Sequence, residues 1–311
     1  KSFPNNTEID LMLHFKNSKP NFIYTLPDSR SMLHRYHYSL STLPGTDYTP
    51  RLADDRVGHF LTIFQDYSDA LSETPYTRYI TRWNLEKSNP RKAVSKPKEP
   101  IVFWLENTIP DQFRSAIREG ILLWNDAFEK AGFIDAVVVK QMPDDADWDP
   151  ADVRYNTIRW IINPGGGYAV GPSRANPYTG EIYDADIRIS SDYVRWFSRE
   201  YDEWVTPLSL SDAEQYLDPE SAFSDNPVQT TEKFHCNYST GMMEQMEFGW
   251  NLLESRGVVS EEDLEKFIHD GLIDLLAHEV GHTLGLRHNF KASSIYSLEQ
   301  LRDKEFTEEN G

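Results

Sequence analysis

His278-Glu279-Val280-Gly281-His282-Thr283-Leu284-Gly285-Leu286-Arg287-His288 is the stretch from which the rest of the chain is read. Residues four apart on a helix share a face, so His278 and His282 present imidazoles from successive turns. Zinc accepts neutral imidazole nitrogens at about 2.0–2.1 Å in a tetrahedron. His288 lies too far past His282 to share that face if the helix simply continued. Gly285 offers the exit, because glycine takes φ > 0 without steric penalty and can turn the chain back. Three imidazoles leave a fourth corner for water, the pattern of a catalytic rather than a structural zinc. Glu279 is offset from the ligand face and is expected beside that open corner. Zinc lowers the pKa of bound water to about 7. The carboxylate can then take a proton from it and hand that proton to a leaving amine.

The same segment makes sense from behind. Leu272, Leu276, Val280 and Leu284 repeat every four residues as an apolar stripe, roughly opposite His278 and His282. The bland alternative is a buried amphipathic helix that happens to carry histidines, and a bare H-E-x-x-H invites it. The glycine and third histidine at the right spacing make chance a poor explanation. Ser260 with Asp263 forms a capping box that starts the helix, and Gly271 is placed to break or kink it before the ligand turn. His269, nine residues before His278, is expected to face elsewhere.

At these residues the chain resembles the metzincin clan of zincins, whose extended signature is H-E-x-x-H-x-x-G-x-x-H. His288-Asn289-Phe290 and upstream text narrow the likeness to a group of large bacterial zinc-dependent metalloproteases. It is strongest from Ile101 to Phe290 and weaker around Pro50-Arg51-Leu52-Ala53-Asp54-Asp55-Arg56-Val57-Gly58. The resemblance implies an α+β catalytic domain, in which a twisted, mostly parallel sheet rests on a backing helix and the active-site helix. It also implies an edge strand above the metal that pairs with substrate. The segment from Tyr168 through Ala169, Val170 and Gly171 to Arg174 matches that strand in position and composition. An ordinary glycine-rich hairpin is the equal alternative.

Composition bounds the function. The 311 residues suggest about two domains, and 39% hydrophobic residues with 8 Trp, 16 Tyr and 16 Phe supply a core. A formal charge of −19 argues against nucleic acid and against an anionic membrane surface. No apolar run is long enough to span a bilayer. The chain opens at Lys1 with no signal-peptide pattern and reads as a piece of a longer or processed protein. An exported protein, whether periplasmic, cell-surface or extracellular, is the expectation. The single Cys236 excludes an intrachain disulfide and reads as a small buried residue.

Residues 1–85 are expected to form a β-rich N-terminal domain, with strands at Phe22–Leu26, Tyr36–Leu40, Phe60–Phe64 and Tyr76–Trp83. His14, His34, His37 and His59 have no ligand spacing and read as structural or surface residues. Residues 86–100, rich in Lys, Ser, Asn and Pro, read as an exposed connector. The catalytic domain, 101–311, begins with the buried strand Ile101–Leu105. A long helix follows, carrying Phe113, Ile117, Ile121, Trp124 and Phe128, with Gly132 at its C′ position. Ala136–Lys140, Thr157–Ile162 and Asp186–Ser190 read as strands. Five carboxylates at Asp144, Asp145, Asp147, Asp149 and Asp152 offer oxygen ligands for calcium, although their spacing is not that of an EF-hand loop and an acidic surface loop explains them better. Residues 193–225 show weak periodicity, whereas Thr240–Leu253 reads as a helix.

Metzincins carry a methionine turn after the third histidine. No Met follows Met246 here, and 23 residues follow His288. The lower subdomain is therefore expected to be truncated from this chain, or else the protein lacks that floor. The function implied is a zinc-dependent endopeptidase acting on protein or peptide, with His278, His282 and His288 as ligands and Glu279 as general base. A non-catalytic binding or scaffold module with an inherited zinc site is the alternative, and a zinc hydrolase of non-peptide amides is a third. Three imidazoles also accept other divalent ions.

Overall fold

The structure, a computed structural model, describes residues 1–23, 26–43, 45, 47–68, 71, 73–162, 169–194, 238–255 and 260–310. Its architecture is α+β, with a β-rich N-terminal region followed by a sheet and helices that resemble a metzincin-like fold. Tyr168, Cys236 and most of 193–225 lie outside the described residues.

The N-terminal region opens with an antiparallel hairpin of β1 (Asn6–Lys16) and β2 (Ser31–Ser41). Strand β1 was not among the expected strands, although Ile9, Leu11, Leu13 and Phe15 alternate with polar residues and Met12 at the strand period. The expected strand at Phe22–Leu26 is absent over its described residues. A second antiparallel pair joins β3 (Leu61–Gln65) to β4 (Tyr76–Ile80), and β5 (Arg82–Trp83) follows directly. Residues 86–100 fold back on themselves, with Ser88 N–H donating to the Lys96 carbonyl at 2.9 Å and Lys98 N–H to the Glu86 carbonyl at 2.8 Å.

Next come β6 (Ile101–Leu105), α1 (Arg114–Leu122), α2 (Trp124–Lys130), β7 (Val137–Gln141) and β8 (Asn156–Ile161). The remaining strands are β9 (Ala169–Val170), β10 (Ser173–Ala175), β11 (Glu181–Ala185) and β12 (Ile187–Ser190). The main sheet has the order β7-β6-β8-β12-β9, parallel throughout except for the antiparallel edge strand β9. A smaller sheet, β10-β11-β5, draws the N-terminal strand β5 alongside β11 in parallel. The expected long helix is two helices, α1 and α2, meeting at Leu123, whose backbone stays helical at φ −52° and ψ −31°. Gly132 ends α2 at φ +91°, the left-handed conformation a C′ glycine adopts.

Helices α3 (Tyr238–Ser255) and α4 (Glu261–Thr283) follow, and α5 (Leu298–Arg302) and α6 (Lys304–Asn310) come last. The Ser260–Asp263 capping box is formed in both directions, with Ser260 Oγ accepting from Asp263 N–H and the Asp263 carboxylate accepting from Ser260 N–H. Helix α4 then runs unbroken through Gly271, contrary to the expected kink. A side chain at Gly271 would strike Met246 of α3, so this glycine serves the contact between two helices rather than a bend. Leu272, Leu275, Leu276 and Val280 are wholly buried with Phe103, Leu105, Ile117 and Ile121, so α4 is pressed into the main core by its apolar stripe. Helix α1 crosses it closely at Gly120, where a Cβ would come within 2.5 Å of the Ile273 carbonyl oxygen.

Candidate metal centre

The histidine motif occupies the last turns of α4 and the turn after it. His278 and His282 project from successive helical turns, as their spacing requires. The helix then closes in a Schellman arrangement. Gly285 N–H donates to the His282 carbonyl at 2.9 Å, and Leu286 N–H to the Gly281 carbonyl at 3.0 Å. Gly285 itself sits at φ +96°. Its reversal returns the chain so that His288 faces the other two histidines. The three rings lie with centroids 4.7 to 5.0 Å apart. One nitrogen from each falls within 4.8 Å of the others, and this is the one group of three such ligands among the described residues.

Hydrogen bonding decides which nitrogens face the centre. His282 Nδ1 lies 2.9 Å from the Leu286 carbonyl oxygen. A carbonyl only accepts, so Nδ1 carries the proton and Nε2 keeps its lone pair. That Nε2 is buried without a partner. His278 Nε2 and His288 Nε2 approach to 3.1 Å. Burial lowers the His278 imidazole to about 4, helped by the neighbouring rings of His282 and His288, and burial also lowers His282. Both rings are thereby held neutral, the form that binds a metal. The donor set fits a tetrahedral zinc with one open position.

Glu279 is fully buried, and neither carboxylate oxygen makes a well-formed hydrogen bond. Burial lifts its pKa to about 7, against a smaller downward pull from the Gly171 amide. Gly171 also touches the helix directly, since a Cβ there would come within 2.6 Å of the Glu279 carbonyl oxygen. Strand β9, at the edge of the main sheet, therefore ends against the motif. Of the expected substrate strand, Ala169 and Val170 form β9 and Gly171 follows it.

Residues outside the motif complete the surroundings. Tyr238, at the start of α3, stacks on His278 with centroids 3.7 Å apart. Phe60 lies 5.7 Å from the His282 ring. The Trp124 indole donates to the Ala277 carbonyl at 2.7 Å, and the Trp83 indole to the Thr283 carbonyl at 2.9 Å. Periodicity places Trp124 on a helix and Phe60 and Trp83 in strands, but no spacing ties any of these four residues to the motif. His269 stands beside Glu119, 3.8 Å away, and not in the triad. In the acidic loop Asp149 pairs with Lys1 and Asp152 with Arg154, each at 2.6 Å, and no three carboxylates converge among the described residues. No helix among the described residues is long and apolar enough to cross a membrane.

Residues 260–311 match the family described as Met-zincin, and residues 1–88 match one described as Domain of unknown function (DUF5117). No curated protein and no solved structure matches the chain. Near its C-terminus the chain thus carries a metzincin-like domain with a clustered histidine triad.

Proposed function

We propose that the protein is a zinc-dependent endopeptidase in which His278, His282 and His288 hold the ion and Glu279 is the general base and acid. Bound there, zinc supplies Lewis acidity, polarising a carbonyl and acidifying a water. The observation that carries the reading is the pairing of three convergent imidazoles with the wholly buried Glu279 carboxyl, neither of whose oxygens makes a well-formed hydrogen bond. A carboxyl with no well-formed protein hydrogen bond is available both to accept a proton and to return it. A binding module with an inherited zinc site has no use for that group, whose desolvation is otherwise a cost. The substrate would be a peptide lying along the outer edge of β9, where main-chain hydrogen bonds give affinity without demanding a sequence. Contact between Gly171 and Glu279 supports this, because it brings the end of that edge to the acid.

A digest of a peptide library by the zinc-loaded chain, with and without a chelator, tests the activity. Glu279→Ala should keep zinc while turnover falls by about a hundredfold or more. Equal turnover in that variant defeats the mechanism. His288→Ala should weaken zinc binding strongly, and unchanged affinity would remove His288 from the ligand set.

A further inference from the structure

Residues 58–60 run antiparallel beside residues 285–287. Phe60 N–H donates to the Gly285 carbonyl at 2.8 Å, Arg287 N–H donates to the Gly58 carbonyl at 3.1 Å, and His59 faces Leu286 between them. Thr81 backs this pair. Its amide donates to the Phe60 carbonyl at 2.8 Å, and its own carbonyl lies where any Cβ on Gly285 would fall. Trp83 holds the Thr283 carbonyl, and the Phe60 ring packs on His282. Apart from the Thr81–Phe60 bond, which lies within the first segment, these contacts join the segment matched as a domain of unknown function to the segment matched as Met-zincin.

We propose that the N-terminal region is a working part of the metal centre: Gly58–Phe60, backed by Thr81 and Trp83, clamps the Gly285 turn in the shape that delivers His288. This rests on the histidine triad being the metal site. The physical reason is backbone accounting. The Schellman closure satisfies the carbonyls of Gly281 and His282. The carbonyls of Thr283 and Gly285 and the amide of Arg287 find their protein partners in the N-terminal region. Ordering a stretch of backbone costs conformational entropy. A turn already clamped has met that cost before the ion arrives. Coupling of this kind is reciprocal, so an ion that favours the clamped turn must also tighten the clamp.

The test uses the full 311-residue chain and three readouts: zinc affinity by chelator competition, the absorption bands of bound cobalt, and amide hydrogen exchange. Phe60→Ala and Trp83→Phe should retain their secondary structure, bind zinc about tenfold or more weakly, as when a group orienting a ligand is lost, and show altered cobalt bands. In the unmutated chain, zinc should slow exchange at the Phe60 and Arg287 amides together. Both variants folding and binding zinc as tightly as the unmutated chain would overturn the proposal. So would zinc slowing Arg287 while leaving Phe60 unchanged, and that measurement decides even if a variant fails to fold. If the unmutated chain binds no zinc, or His288→Ala binds it equally well, the triad reading itself falls and takes the clamp with it.

Discussion

The ring of Tyr238 lies flat on the imidazole of His278, its plane only 3° from parallel, and its hydroxyl is held by Asp274. Asp274 precedes His278 by one helical turn, so the tyrosine spans an imidazole of the triad and a carboxylate on the same face of α4. The stack sets the plane of the imidazole and hence the direction of its lone pair. Tyr238→Phe keeps the ring and should change metal affinity by no more than about threefold. Tyr238→Ala frees His278 and should weaken binding by about tenfold, with a shift in the cobalt absorption bands. Unaltered bands in the alanine variant would mean that the ring merely covers the ligand.

Gly285 has two reasons to resist substitution. Its φ of +96° is left-handed, and the Thr81 carbonyl occupies the place of a side chain. Gly285→Ala should cost at least about 1–2 kcal/mol from the backbone alone. It should appear as a lower denaturant midpoint together with weaker zinc binding. A loss of stability without a loss of zinc would show that the turn can deliver His288 in another shape.

At the crossing of α1 and α4, Gly120→Val would push a side chain into the Ile273 backbone and the Leu276 Cβ, which lies 2.9 Å from the added atom. Overpacking of this kind costs about 1–3 kcal/mol. Urea unfolding should show a lower midpoint at an unchanged slope. An unchanged midpoint would mean that the helices slide apart at no cost.

Asp184 and Asp186 give the fold a pH dependence that does not rest on the histidines. Burial, reinforced by Asp186, raises the Asp184 carboxyl to about 7 although Arg174 lies 3.1 Å away, and burial raises Asp186 too. An acid whose folded pKa exceeds its unfolded value of about 3.9 stabilises the fold while protonated. That contribution is complete below pH of about 4 and is lost as pH rises through about 7. Asp184→Asn carries no such charge, so its melting temperature should gain on that of the unmutated chain between pH 5 and pH 8. Parallel melting curves across that range would show that Arg174 compensates the charge in full.

What could be read from the chain alone was what repeats locally. The Ser260–Asp263 box, the stripe from Leu272 to Leu284, the histidine spacing and the glycine exit all lie within one helix and its turn, where period and capping rules apply. The alternation of Ile9, Leu11, Leu13 and Phe15 in β1 is equally local. Gly271 misled for a physical reason: a glycine in a helix signals either a bend or a close neighbour, and only the position of Met246 decides between them. Phe60, Trp83, Trp124 and Tyr238 reach the metal segment across long stretches of chain, as far as 200 residues for Trp83 and Thr283. Contacts of that range leave no periodicity to read.

The two middle letters of H-E-x-x-H are written as wildcards, yet here neither is free. Val280 is sealed in the core, and at Gly281 an added methyl would sit 2.9 Å from the Trp124 ring. Coordination chemistry is indifferent to these positions, but the scaffold behind the helix is not. A library randomised at 280 and 281 should therefore recover few functional variants, with the losses traced to misfolding rather than to a damaged ligand set.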